Sequence, residues 1–135
     1  MTSPSLTRRS AFAGAAALTV VPAVASASTK QTVIGALWSE VEALEHKITA
    51  YSAEIAAAAE NGGISGWMRL GGEANTLGGQ RYAKLMAILH ASPQNQADLA
   101  ILARVVLDGD IQNGAKGYAA DQFAKATIAY TAAVA

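Results

Sequence analysis

No cysteine occurs anywhere in the chain. That excludes disulfide staples, thiol redox chemistry and thiolate metal sites, and with them a bacterial lipoprotein anchor, which needs a cysteine at its cleavage site. The fold must hold by packing alone. Large side chains are scarce as well, with aromatic residues at 6%. Much of the 52% hydrophobic content is alanine, which favours helix but buries little surface, so the core is thin for the chain's length. Trp38, Trp67, Phe123 and the four tyrosines supply much of its bulk. There are only two histidines, and no acidic residue precedes Glu40.

The acid-free start has its own logic. Thr7-Arg8-Arg9-Ser10 leads into the small, apolar run Ala11 to Val21, followed by Pro22 and two overlapping small-x-small sites, Ala23-Val24-Ala25 and Ala25-Ser26-Ala27. A basic start, a core of about a dozen apolar residues and an A-x-A end describe a cleavable export signal over residues 1–27. The run is too short to span the ~30 Å hydrocarbon core of a bilayer, and Pro22 interrupts any extension of it. Cleavage after Ala25 or Ala27 would leave no stable membrane anchor.

The paired Arg8 and Arg9 make this segment resemble a twin-arginine leader, whose pattern is Ser/Thr-Arg-Arg-x-Phe-Leu-Lys. Thr7, Arg8, Arg9 and Ser10 match it, whereas Ala11, Phe12 and Ala13 stand at the Phe, Leu and Lys positions. The weakly hydrophobic Ala/Gly core is similar to that family too; a general secretory signal is the alternative. The resemblance implies a bacterial protein handed to an export machinery in its folded state, ending periplasmic or secreted. It covers only the leader.

Residues 28–135 read as a single helical domain carrying eight basic and ten acidic residues, net −2. That balance gives no electrostatic case for nucleic acid or anionic membranes. Its organising feature is a seam at Ile34, Leu37, Val41, Leu44, Ile48, Tyr51, Ile55 and Ala58, spaced 3,4,3,4,3,4,3. This is one face of one long helix with coiled-coil periodicity, expected from about Lys30 to Glu60 with Ser28 or Thr29 as N-cap and Asn61-Gly62-Gly63 as the stop. β-branched residues at a and leucine at d suit a parallel dimer. The flanks do not, since Glu40 would face Glu45 and Lys47 would face Ser52. Trp38 widens the apolar face beyond a two-helix seam, which favours burial within one chain.

Residues 61–80 contain seven glycines around Trp67-Met68-Arg69-Leu70. No G-x-x-x-x-G-K-[ST] or G-x-G-x-x-G is present, and no strand precedes the segment, so a phosphate loop is disfavoured. The composition predicts a long irregular connection with Trp67 and Leu70 tucked onto the bundle. Trp67 with Arg69 is then the candidate ligand or partner contact, because structureless loops of that length are usually functional.

A second helix is expected from between Glu73 and Gln80 to His90, with Tyr82, Leu85, Met86 and Leu89 on one face. A third should start at Pro93, capped by Ser92, and bury Leu99, Leu102 and Val106. A fourth spans about 115–133 with Ala120, Phe123, Thr127, Tyr130 and Val134 in register. No segment alternates like a strand. The expected fold is all-α, a small three- or four-helix bundle built on one long N-terminal helix. None of the later helices is long enough to cover the first alone.

Reactive constellations are missing. Asp108-x-Asp110 opens like a calcium loop, but Asn113 and Ala119 stand where glycine and glutamate belong, so a helix-ending turn is the better reading. His46 falls on the wet face of helix one and His90 ends helix two, with no H-E-x-x-H and no Glu-x-x-His pairs. No G-x-S-x-G elbow frames a nucleophile. Glu42 and Glu45 read as solvated carboxylates. The expectation is a non-catalytic exported protein with no cofactor, binding a protein partner or self-associating along helix one. The alternative is a small exported enzyme or cofactor carrier using the 61–80 loop.

Overall fold

The computed structural model describes residues 30–135, and every regular element in them is a helix. In chain order these are α1 (Val33–Glu60), α2 (Ile64–His90), α3 (Gln96–Leu107), α4 (Gly109–Gly114) and α5 (Lys116–Val134). The leader, with Arg8, Arg9, Ala25 and Ala27, and the Ser28/Thr29 cap lie outside the described residues.

The cap of α1 is Thr32 rather than Ser28 or Thr29, and the helix starts at Val33 rather than Lys30; the Thr32 Oγ1 accepts the Gly35 N–H at 3.0 Å. Along α1 the eight seam positions are all buried or half-buried, with Ile34 and Val41 fully enclosed. The helix ends as its Asn-Gly-Gly run dictates. Asn61 N–H returns to the Ala57 carbonyl, and Gly62 adopts φ +71°, the left-handed conformation that glycine enters without a Cβ clash.

The glycine-rich stretch is where expectation and structure part. Residues 64–80 form no irregular connection but the first half of α2, a helix of 27 residues against 28 in α1. At ~1.5 Å per residue both are about 40 Å long, so α2 lies antiparallel to α1 and covers it alone, contrary to the length argument. Five glycines within α2 cost roughly 1 kcal/mol each against alanine. Packing offsets that cost: Trp67, Leu70, Ala74, Leu77 and Arg81 repeat a 3,4,3,4 spacing that matches the α1 seam, and Leu70 is buried against it. Trp67, by contrast, is 49% exposed and not tucked in.

The core sits at the other end of this hairpin. Ile34 and Val41 meet Leu85, Ile88 and Leu89 of α2, Leu102 and Val105 of α3, Ile111 of α4 and Ala119 of α5. Leu37, Trp38, Tyr82 and Phe123 pack against this core and are themselves partly buried. Thus α3, α4 and α5 build a base around one end of α1 and α2, while the other end continues as a two-helix arm.

Two starts differ from expectation. Asn95, not Ser92, caps α3, and Pro93 precedes the helix. The buried Asp98 carboxylate accepts the Gln94 N–H at 2.8 Å, holding that segment in a turn. Asp108-Gly109-Asp110 ends α3 and also begins α4, a short helix absent from the expected set. In α5 the inward residue is Ala119, with Phe123 and Ala126, while Ala120 and Val134 are exposed. No described helix is long and apolar enough to cross a membrane.

Candidate functional site

The free end of the arm carries a concentrated apolar surface. Ile64, Trp67 and Met68 are spaced i, i+3 and i+4 on the first turns of α2, one helix face. They are 73%, 49% and 65% exposed. Trp67 and Ile64 border a small groove of about 220 Å³ with Ala59, Gly62 and Gly63. The local sequence explains the shape: Gly62 and Gly63 present no side chain at the turn, so the indole stands clear of the hairpin end.

Arg69 is not part of this surface. Two residues along a helix is a rotation of ~200°, and the Arg69 guanidinium donates instead to Glu73, one turn on, at 3.2 Å. The structure therefore separates the two residues that the sequence had joined as one contact.

A second cluster, at the junction of arm and base, was not visible in the sequence. Arg81 of α2 donates through Nε and Nη2 to Glu45 Oε1 of α1 at 3.1 and 2.8 Å. It grips both oxygens of Asp108 and reaches Asp110 Oδ2 at 3.1 Å. One guanidinium thus ties α1, α2 and the α3–α4 junction together. The Asp108 hydrogen bonds hold Arg81 more firmly protonated than a free arginine, against the opposing effect of burial. Burial alone would raise the Asp108 pKa, but the Arg81 contact and the N–H groups of Asp110 and Ile111 outweigh it and leave it below the usual carboxylate value. Glu45, read as solvated, is an ion-pair partner. Beside the cluster lies an open groove of about 510 Å³, with Ile48, Thr49 and Gly78 on its walls. Its charges are mutually bonded, so the cluster is a clasp rather than a reactive group.

The histidines take the places expected of them. His46 is exposed on α1, and His90 ends α2 with the Tyr118 hydroxyl 3.0 Å from its Nε2. Among the described residues no three His, Cys, Asp or Glu side chains are grouped to hold a metal ion. Nor does any buried side-chain nitrogen or oxygen there lack a hydrogen-bond partner. Of the 61–80 loop that the cofactor alternative required, residues 64–80 are helix and only 61–63 are a turn.

The fold and surface together define a class: an all-α bundle whose first two helices extend beyond its core as an arm with an apolar end. Comparison with protein-family models, with curated proteins and with solved structures finds no match for this chain.

Proposed function

We propose that this chain is a small exported helical protein that binds a protein partner through the end of its arm, without catalysis. The observation that supports this reading is the exposed face of Ile64, Trp67 and Met68. A contiguous apolar surface on a helix end, away from the core and flanked by polar residues, is the usual make-up of a docking element. Trp67 is its natural anchor, since an indole pairs a large rigid apolar face with an N–H that can donate to a partner. The export half of the reading stands on the leader, with Arg8 and Arg9 ahead of the apolar run and Ala25 or Ala27 at the cleavage site.

Two experiments test the two halves. A photoreactive amino acid at position 68 should cross-link to one discrete protein in the periplasm of the native bacterium, and the same group at the exposed Ile128 should not. No adduct at 68, or the same adducts at both positions, rejects the docking reading. For export, intact mass should give a chain starting at Ser26 or Ser28, and Arg8→Lys with Arg9→Lys should abolish its appearance outside the cytoplasm. Undiminished export of that variant removes the twin-arginine route.

A further inference from the structure

The arm has a second open side, distinct from the Trp67 face. On α1 it presents Leu44, Lys47, Tyr51 and Glu54, and on α2 Gln80, Leu77 and Glu73. Two shallow grooves run end to end along it, of about 390 and 480 Å³, and Lys47 borders both. Their apolar parts are Ala43, Leu44 and Ala83 in one, Tyr51 and Leu77 in the other. The rim of α1 alternates in charge at Glu40, Lys47 and Glu54. Glu40 is taken by Lys84 of the same chain, whereas neither Lys47 nor Glu54 has an ion-pair partner among the described residues.

We infer that this side is a homodimer interface in which two arms pack face to face and antiparallel, Lys47 of each copy meeting Glu54 of the partner subunit. Three observations converge on that register. First, a parallel two-fold arrangement through this side sets each rim residue against its own copy, Lys47 beside Lys47 and Glu54 beside Glu54, so that like charges meet. An antiparallel one brings the Glu40/Lys47/Glu54 row against itself, and a two-fold axis near Ala50 makes two symmetric attractive pairs. Second, Lys47 and Glu54 are both exposed on the rim, one on either side of Tyr51, so an axis midway between them lets both pairs form at once. Third, the size suffices. About 20 residues at 1.5 Å, two helices wide at 8–10 Å each, is roughly 600 Å² per copy. That is ~1,200 Å² in total, the lower edge of specific interfaces, and defines a reversible dimer. Near the axis, Glu73 is neutralised by Arg69 in its own helix. The product is a four-helix layer with an apolar floor and charged rims, the arrangement in which isolated helical hairpins complete their cores. This inference stands apart from the docking reading of the arm's end, because Trp67 borders the groove at Ala59 and neither of these two.

Sedimentation of the full chain from micromolar to submillimolar concentration should show a reversible monomer–dimer equilibrium. Lys47→Glu or Glu54→Lys alone replaces two attractions with two repulsions and should weaken the dimer by about tenfold. The double variant should recover it, since opposite charges face again. Association through the leader would not respond to this pair at all. A monomer throughout, a dimer indifferent to both single changes, or a double variant no tighter than the singles each overturns the proposal. Should charge reversal disturb the arm's helicity, cysteine chemistry decides instead. In a chain without other thiols, Lys47→Cys mixed with Glu54→Cys should cross-link through a short bismaleimide, and no mixed dimer overturns the proposal.

Discussion

Arg81 and Asp108 meet as a two-pronged ion pair, both terminal nitrogens of the guanidinium reaching both oxygens of the carboxylate. Asp108 is at the same time the residue that ends α3 and, by accepting the Asp110 N–H at 3.0 Å, the one that starts α4. Their side chains are only 14% and 16% exposed, so the pair is worth more than a surface contact and costs more to break.

Arg81→Ala should therefore lower unfolding free energy by roughly 2–4 kcal/mol, because it leaves a half-enclosed cluster of three carboxylates without its cation. Arg81→Lys should restore only part of that, since an ammonium cannot reproduce the forked contact. Urea unfolding followed by circular dichroism measures both, and a wild-type midpoint for the alanine variant would refute the clasp.

The same pair sets an acid limit. The folded-state pKa of Asp108 is lowered, so its contribution is complete above the unfolded carboxylate value of ~3.9 and is lost as pH falls through the folded one. Wild-type stability should decline below about pH 4 more steeply than that of Asp108→Asn, which has no proton to take up there. Parallel acid profiles of the two would show the opposite.

A further polar contact joins the base to the start of α1. Thr32 Oγ1 donates to Asp98 Oδ1 at 2.6 Å while capping its own helix, and Asp98 is 2% exposed. Thr32→Val keeps the shape but removes the cap and leaves that carboxylate short of a donor. A loss of about 2 kcal/mol is expected. Thermal melts report it directly; an unchanged midpoint would mean the contact carries no net energy.

The helical glycines make the opposite kind of prediction. Gly72 and Gly79 have nothing within 4 Å of where a Cβ would stand, and the sole positive-φ glycine among the described residues is Gly62. Gly72→Ala and Gly79→Ala should each stabilise the protein by about 1 kcal/mol, visible as a rise in Tm. Destabilisation by either would show that the backbone there is not free helix.

The α1 seam was legible because nothing in Ile34–Ala58 contradicts it: propensity, spacing and the Asn-Gly-Gly stop all point one way. Residues 64–80 were misread because glycine composition was weighed above periodicity. Trp67, Leu70, Ala74 and Leu77 already carry the helical spacing, and only the presence of α1 as a template makes that pattern outweigh five glycines. Arg81 gave no local signal, since its partners lie 27 to 36 positions away in sequence. Asn95 was overlooked beside the more familiar Ser92-Pro93 pair, and the deciding group, Asp98, acts through a tertiary contact with Thr32. The exposed apolar turn at Ile64–Met68 could be seen as residues but not as a surface, because a loop offers no common face.

The division between a base closed on all sides and an arm one layer thick means that the molecule does not open as a unit. Beyond the Arg81 clasp, Leu70 is the only buried residue of the arm among those described, and even it keeps 7% of its surface exposed, while five glycines lower the cost of leaving helix there. Opening of the arm is then a small fraction of global unfolding, and its amides exchange with solvent long before those around Leu85 and Leu102. Whatever closes on the arm also completes its folding. Its affinity is reduced by that ordering, and the occupied protein gains in return a stability that the free chain does not have.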